Sequence, residues 1–154
     1  MLELAVVSAA FMMGAAIPHK YSGGGENVSP PLEWGPAPQG TKSLAVLCDD
    51  PDAPAGDWAH WVLFNLPPDT RRLEEGIPAA PQLPSGARQG LNDYNRSGYA
   101  GPWPPPGRPH RYIFKVFALD TALNLDARAR KADLLRAMEG HILAQGQLMG
   151  TFRR

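Results

Sequence analysis

Four polar side chains in this sequence could together bind a small anion: Asp50, His60, His110 and Tyr112. If the imidazoles are at least partly protonated, they and the phenol can donate hydrogen bonds to a phosphate or a carboxylate, while Asp50 can accept from an amine or orient an imidazole. Charge-assisted bonds of this kind are roughly twice as strong as neutral ones, so such a pocket needs no net positive field. We expect binding that strengthens as the pH falls through the histidine pKa values, about 6.5 in unperturbed histidine.

Prolines lie beside these residues and are expected to form rigid pocket walls. Pro54 closes the string DPDAP, which begins at Asp50, and Pro102 and Pro104 lie in the string GYAGPWPPPG, which precedes His110. Proline fixes φ and removes a backbone donor, so it can shape a wall. The sequence therefore predicts ligand contacts from these three prolines. The alternative is a polyproline segment that binds a partner, which we favour less because short proline runs are common in turns.

Each of these residues also has a purely structural interpretation. Asp50 precedes a proline and could simply start a turn, because aspartate side chains bond nearby backbone amides. A histidine taken alone is more often a satisfied core or surface residue, and Tyr112 could be ordinary strand packing with its hydroxyl at the rim. Asp52 and Arg111 are interpreted as scaffold, and an ion pair between them is a hypothesis.

Three predicted strands would position the polar residues, and they cover residues 43–50, 58–66 and 111–119. Successive side chains alternate between the two faces of a strand. If the three strands are neighbours in one sheet, the polar groups meet at one mouth. On this pattern each polar residue shares a face with an apolar stripe: Asp50 with Leu44, Val46 and Cys48, His60 with Trp58, Val62 and Phe64, and His110 and Tyr112 with Phe114 and Val116.

The whole pattern predicts a single domain, residues 1–154, folded as a mostly β, antiparallel sandwich with long loops. Seventeen prolines and sixteen glycines separate short β-rich runs. The segment between Pro67 and Pro109 is expected to carry a functional surface or short strands. One amphipathic C-terminal helix is predicted over residues 129–145, where apolar residues including Leu135 recur at helical spacing, and it is expected to end at Gly146.

Composition and charge exclude several functional classes. Fifteen basic and fifteen acidic residues cancel, so the long-range field that draws proteins to nucleic acid is missing, and no nucleic-acid partner is expected. The single cysteine, Cys48, lies in an apolar run and is expected to be a buried, unreactive thiol. Residues 2–17 imitate a secretory signal, but no basic residue precedes Lys20 and the stretch is shorter than the roughly 18 residues of a membrane helix. We therefore expect a first strand and loop, no transmembrane segment, and a cytoplasmic protein.

Several of these strings resemble a family signature. The order DPDAP, WAHW, GYAGPWPP and HRYIFKVFALD is similar to that of the phosphatidylethanolamine-binding protein family, in particular its bacterial and archaeal Raf-kinase-inhibitor-like branch. Two further blocks, GENVSPPLEW near the N-terminus and MEGHILA near the C-terminus, extend the resemblance to nearly the whole chain.

The resemblance implies a fold, a site and a class of ligand. In the family, the Asp that opens DPDAP, the His of WxHW, and the His and Tyr of HRY line the ligand site, and these residues correspond to Asp50, His60, His110 and Tyr112. The implied ligand is a small anion, such as phosphate, phosphoethanolamine or a carboxylate. The resemblance also implies a protein partner, because some members inhibit kinases or serine carboxypeptidases.

Two enzymatic alternatives are weaker. A hydrolase acting on a small phosphate or acyl ester could use a pocket histidine as general base, but no G-x-S-x-G elbow, P-loop or Gly-rich dinucleotide turn is present. Asp50, His60 and His110 could ligate a catalytic zinc, but no local spacing such as H-E-x-x-H supports this. We therefore expect no catalytic residues, no cofactor and no metal. A homodimer could form through the apolar residues 11–13 or through the C-terminal helix.

Overall fold

The structure is a computed structural model that describes residues 2–154. Apart from a short 3₁₀ helix at His19–Tyr21, its regular elements are nine strands and one helix. They are, in chain order, β1 (Leu2–Glu3), β2 (Val6–Val7), β3 (Leu32–Trp34), β4 (Ser43–Asp50), β5 (Trp58–Leu66), β6 (Arg72–Leu73), β7 (Arg88–Gln89), β8 (His110–Leu119), α1 (Lys131–Met138) and β9 (Ile142–Phe152).

The larger of two sheets brings the three predicted strands together. Its strand order is β1-β9-β8-β4-β5-β7, and the smaller sheet has the order β2-β3-β6. Strand β4 lies between β8 and β5 and is antiparallel to both, which confirms that the three strands are neighbours. The mostly β fold is confirmed as well, but the sheet is not wholly antiparallel, because β1 pairs with β9 in parallel. These two strands lie at opposite ends of the chain, so no hairpin forces them to be antiparallel.

Two apolar layers pack against the two faces of the larger sheet. Leu44 of β4 belongs to the layer between the sheets, where it joins Leu32 of β3. Leu47 of the same strand lies on the opposite face and belongs to the layer beneath Leu134 and Met138 of α1. The alternation of side chains along β4 produces both layers, and burying a large aliphatic side chain contributes about 1.5–3 kcal/mol.

The C-terminal helix is present but shorter than predicted. It ends at Met138, and Gly140 adopts a left-handed conformation with φ of 83°, which costs little only for glycine. The predicted span of residues 129–145 and the predicted end at Gly146 are therefore wrong beyond Met138. From there the chain forms β9, which pairs with β8 along its length. Leu135, predicted on the apolar face, is 44% exposed, because the face of α1 that packs on the sheet carries Leu134 and Met138 instead.

Candidate functional site

A pocket of about 220 Å³ opens where β4 ends and β5 begins. Its deepest lining residues are Asp50, His60, His110 and Tyr112, between 1% and 6% exposed, and we call these four residues the floor. The structure thus brings together all four polar residues that the sequence selects. The other lining residues are apolar or aromatic, and we call them the rim: Ala53, Pro54, Ala55, Trp58, Tyr94, Trp103, Pro104 and Pro105.

A β-bulge in β5 places His60. In the ladder between β4 and β5, Cys48 lies opposite Trp61. The next pair is Asp49 and Ala59, so His60 is one extra residue between two regular pairs. A bulge of this kind bends the strand and re-aims a side chain, and bulges are common next to functional sites.

The bulge changes which face His60 occupies. The sequence pattern predicts that His60 shares a face with Val62 and Phe64, and this is wrong. Those two residues pack in the layer beneath α1, whereas the ring of His60 lies 5.2 Å from the ring of Tyr112, edge to face. Strict alternation fails because the inserted residue moves the side chains on either side of it out of phase.

His60 is held in one tautomer. Its Nδ1 lies 2.6 Å from the carbonyl oxygen of Ala100, and because a carbonyl only accepts, Nδ1 carries the proton and donates. Burial lowers the pKa of His60, since it disfavours the charged ring more than the Ala100 carbonyl and nearby carboxylates favour it. His60 is therefore neutral at neutral pH, and its Nε2 is an acceptor. A protonated His60, which the sequence analysis considers as a second donor, is thereby disfavoured.

Asp50 orients the second imidazole. Its Oδ2 accepts from Nδ1 of His110 at 2.7 Å, and its Oδ1 accepts from the backbone N–H of Asp52 at 2.8 Å. The turn interpretation and the site interpretation of Asp50 therefore both hold. Within residues 2–154, Nε2 of His110 has no hydrogen-bond partner. The carboxylate can balance the charge of a protonated His110, which makes Nε2 a charge-assisted donor.

Tyr112 adds a neutral donor to the floor. Burial raises the pKa of its phenol, and the negative charge of Asp50 raises it further. The hydroxyl therefore stays protonated throughout the physiological range. The floor consequently combines an acceptor nitrogen on His60, a donor hydroxyl on Tyr112, and Nε2 of His110, which donates when that ring carries both protons.

The sequence does not identify the three aromatic residues of the rim, Trp58, Tyr94 and Trp103, as site residues. Trp58 and Tyr94 pack edge to face with ring centroids 5.5 Å apart, and Tyr94 lies 5.8 Å from His60 in a similar arrangement. Trp103 lies in the proline-rich loop and is 41% exposed. Trp58 and Trp103 lie within the strings WAHW and GYAGPWPPPG, so those strings contained the only signal that could have found them.

Asn92 shapes the loop that presents Tyr94. Its side chain is buried, and its Oδ1 accepts from the backbone N–H of Tyr94 at 2.9 Å. The next residue, Asp93, exchanges hydrogen bonds with Ala59 of β5 at 2.6 and 2.9 Å. The segment between Pro67 and Pro109 contains the short strands β6 and β7 and also contributes residues to the pocket lining, so the two alternatives given for it are not exclusive.

The three predicted wall prolines have different positions. Pro54 and Pro104 line the pocket, and so does Pro105, but Pro102 does not. Pro102 is buried, and its carbonyl accepts from the backbone N–H of Gly23 at 2.8 Å. The wall position expected of Pro102 is therefore not found, because its part of the loop is turned inward and is bonded to the N-terminal segment.

The hypothesised pair of Asp52 and Arg111 is present at the edge of the site. Asp52 accepts three hydrogen bonds from Arg111, one from its backbone N–H at 2.9 Å and two from its guanidinium at 2.8 and 3.0 Å. These bonds lower the pKa of Asp52 to about 2 despite partial burial. The geometry supports a scaffold role, since it joins the loop after β4 to the start of β8.

Two further kinds of chemical group are a possible metal site and the cysteine. Within residues 2–154, no three His, Cys, Asp or Glu side chains form a group that could hold a metal ion. Cys48 is 1% exposed, and burial raises the pKa of its thiol well above the ordinary value. The prediction of a buried, unreactive thiol agrees with this placement.

The sequence predicts no transmembrane segment and suggests two surfaces for a homodimer. None of the helices in the described part of the chain is long and apolar enough to cross a membrane. In the apolar stretch suggested for a dimer, Phe11 is buried in the core, while Met12 and Met13 are 79% and 58% exposed. A homodimer through this stretch or through α1 stays a prediction.

The sequence is similar to curated proteins along most of its length. The family model for phosphatidylethanolamine-binding protein matches residues 7–153. The chain is 53% identical over 145 residues to the UPF0098 protein of Methanothermobacter thermautotrophicus, covering 94% of this chain and 95% of that protein. It is 45% identical over 151 residues to the UPF0098 protein of Aquifex aeolicus, covering 97% and 88%.

Solved structures are similar over the whole fold. The phosphatidylethanolamine-binding protein homologue CT736 of Chlamydia trachomatis is 40% identical with a TM-score of 0.89, covering 100% of this chain and 99% of that one. E. coli YbcL, reported as a new member of the mammalian PEBP family, is 33% identical with a TM-score of 0.91, covering 99% of each chain. The likeness therefore includes every strand that carries the floor.

Proposed function

Because this chain belongs to the phosphatidylethanolamine-binding protein family, we propose that it is a binding protein whose pocket holds a small phosphate-bearing or carboxylate-bearing ligand without turning it over. The volume of about 220 Å³ is below the roughly 300–1,000 Å³ of sites for drug-sized ligands. A headgroup or a small metabolite fits this size better than a whole lipid does.

The observation that carries the proposal is the pair of oriented imidazoles in the floor. Their Nδ1 atoms are bonded to Ala100 and Asp50 at 2.6 and 2.7 Å, which leaves both Nε2 atoms for a ligand. A phosphate monoanion has oxygens that accept from His110 and Tyr112 and one hydroxyl that can donate to the neutral His60. A carboxylate lacks that hydroxyl, so we expect phosphate to bind more tightly than acetate.

Calorimetric titration tests this proposal. Inorganic phosphate, phosphoethanolamine and acetate are titrated into the wild-type protein and His110→Ala, at about pH 6 and about pH 8. We expect saturable phosphate binding that is stronger at the lower pH, because more of the phosphate there is the monoanion, whose hydroxyl can donate to His60. His110→Ala should abolish it, and absence of binding to the wild type at either pH would refute the proposal.

The chain offers a matched control on its surface. His141 Nδ1 lies 2.8 Å from Asp120 Oδ1, the same type of pair as in the floor, but both side chains are more than 40% exposed. His141→Ala removes an equivalent imidazole away from the pocket and should leave phosphate affinity unchanged. Equal losses in His110→Ala and His141→Ala would mean that the effect is not specific to the floor.

A hydrolase is the second candidate, because one observation favours it. An imidazole oriented by a carboxylate, as His110 is by Asp50 at 2.7 Å, is an arrangement that can act as a general base on water. The proposed binding mode uses His110 as a hydrogen-bond donor, and a ring that carries both protons cannot act as a base, so we expect no turnover. Hydrolysis of p-nitrophenyl phosphate or p-nitrophenyl acetate by the wild type, lost in His110→Ala, would replace binding by catalysis as the proposed role.

A protein partner is the third candidate. Tyr94 and Trp103 are 40% and 41% exposed beside the pocket, and exposed aromatic residues are common where proteins bind one another. We propose that a kinase or protease partner docks at this rim. A partner whose binding is blocked by Trp103→Ser but not by Leu135→Ser would support this docking site.

A further inference from the structure

A cation contacts the rim from outside the pocket lining, which itself contains no Lys or Arg. The guanidinium carbon of Arg154 lies 4.3 Å from the centroid of the Trp103 ring. Nη1 of Arg154 lies 3.5 Å from the carbonyl oxygen of Pro104. Both Trp103 and Pro104 line the pocket, so a permanent positive charge contacts two residues of its wall.

The ring of Trp103, on which Arg154 lies, is held in place by packing against the backbone. A Cβ on Gly24 would lie 2.2 Å from Cζ3 of Trp103, and one on Gly23 would lie 3.0 Å from its Cβ. The glycine backbone therefore packs directly against the tryptophan, and a side chain at position 24 would displace the ring. Phe152 and His19 lie beside the same ring, with centroids 6.3 Å away. Trp103 is thus held in place while 41% of its surface stays exposed.

Arg154 makes one side-chain hydrogen bond within residues 2–154, to the uncharged carbonyl of Pro104. In the described residues, no Asp or Glu forms an ion pair with it, whereas Arg111, the arginine nearest to the floor in sequence, is paired with Asp52. A guanidinium on an aromatic face keeps its N–H donors free at its edge, and its planar fork suits a carboxylate.

We propose that Arg154 on Trp103 forms a second anion subsite, so that the pocket prefers ligands with two anionic groups, a phosphate at the floor and a carboxylate at the rim. This inference rests on the proposed function, because it assumes that the floor holds the phosphate. Arg154 then acts as a residue that determines specificity, and the floor supplies the binding shared by all ligands. The apolar rim between the two subsites suits the short carbon chain that joins the two groups.

A pair of ligands that differ by one carboxylate tests the subsite. Phosphoserine and phosphoethanolamine are titrated into the wild type, Arg154→Gln and the control Arg153→Gln, whose side chain is exposed. We expect the wild type to prefer phosphoserine by about threefold, as an exposed charge pair allows. Arg154→Gln should remove the preference with phosphoethanolamine affinity unchanged, and Arg153→Gln should keep it. The preference should also shrink as salt is added.

The outcomes separate this inference from the proposed function. Equal affinity of the wild type for the two ligands, or a preference that survives Arg154→Gln, overturns the subsite while phosphate binding stands. Absence of binding for both ligands and for inorganic phosphate overturns the proposed function and the subsite together. Arg154 is exposed, so its replacement should fold, and an unchanged affinity for phosphoethanolamine demonstrates this directly.

Discussion

Asp49 and Asp50 are neighbours in sequence, but they lie on opposite faces of β4 and have different partners. Asp49 is 2% exposed, and its Oδ2 accepts from Lys131 at 2.7 Å and from Lys115 at 3.3 Å. Asp50 is 3% exposed, and its Oδ2 accepts from His110 at 2.7 Å. Burial and residue type are therefore the same on the two faces, and only the partners differ.

The difference between Asp49 and Asp50 indicates that the type of partner, and not burial, distinguishes a binding-site carboxylate from a structural one. Burial alone would lower the pKa of Lys131, but its hydrogen bond to Asp49 and the negative charge there outweigh this and raise it. Asp49 is thus neutralised by permanent cations and joins α1 to the sheet. Asp50 faces a titratable ring whose other nitrogen has no partner within residues 2–154. Its charge can therefore act on whatever that ring binds.

The largest effect that we expect from replacing one of these two aspartates is on phosphate binding. Asp50→Asn keeps the shape of the side chain and an acceptor for His110, but it removes the charge that supports a protonated ring. Phosphate affinity should fall by about tenfold or more, because hydrogen bonds to charged groups contribute about 1.5–3 kcal/mol. Calorimetry on Asp50→Asn and Asp49→Asn measures this. If both variants lose the same affinity, the two faces do not differ in the proposed way.

The second largest effect is on the free energy of unfolding, and it arises at the face of β4 that carries Asp49. Asp49→Asn leaves Lys131 and Lys115 without their buried counter-charge. Urea unfolding should show a loss of about 2–3 kcal/mol, below the 3–5 kcal/mol of a fully buried pair because the lysines reach solvent. Asp57, 58% exposed and 3.4 Å from Lys131, supplies the control, since Asp57→Asn should cost less than about 1 kcal/mol. Equal costs at the two positions would contradict a structural role specific to Asp49.

The sequence predicts the face of Asp50 because the side chains of β4 alternate without interruption over its last residues. The same is true of β8, whose His110 and Tyr112 share a face with an apolar stripe as expected. These two strands supply three of the four floor residues. Regular strands in the middle of a sheet bury alternate side chains on opposite faces, and this pattern can be read directly from sequence.

The parts that the sequence does not predict depend on distant segments. The bulge at His60 is a property of the ladder between two strands, and nothing in the string WAHW reveals the extra residue. The end of α1 depends on the pairing of β9 with β8. Arg154 contacts the rim residue Trp103 only when the segments around Gly24, Trp103 and Arg154 meet, so this cation is visible in the structure alone.

A smaller effect concerns the pH dependence of stability on the Asp50 face. The pKa of His60 is lowered in the folded protein, so the unfolded state, with a pKa of about 6.5, takes up a proton first as the pH falls. The contribution of His60 is fully present above that value and is lost as the pH falls toward its folded pKa. Wild-type stability should therefore decrease between about pH 7.5 and about pH 5 more than that of His60→Gln. Parallel decreases would show that His60 is not the neutral ring described above.

The smallest effect extends the comparison to the surface, where Asp52 pairs with the exposed Arg111. The pKa of Asp52 is about 2 in the folded protein against an ordinary 3.8, so its contribution is present above about pH 4 and is lost as the pH falls toward 2. Because the arginine side chain is 53% exposed, Asp52→Asn should cost about 1 kcal/mol or less at neutral pH. Urea unfolding at about pH 7 and about pH 3 should show this difference narrowing in acid. Phosphate affinity should not change, and a loss of affinity would move Asp52 from the scaffold into the binding site.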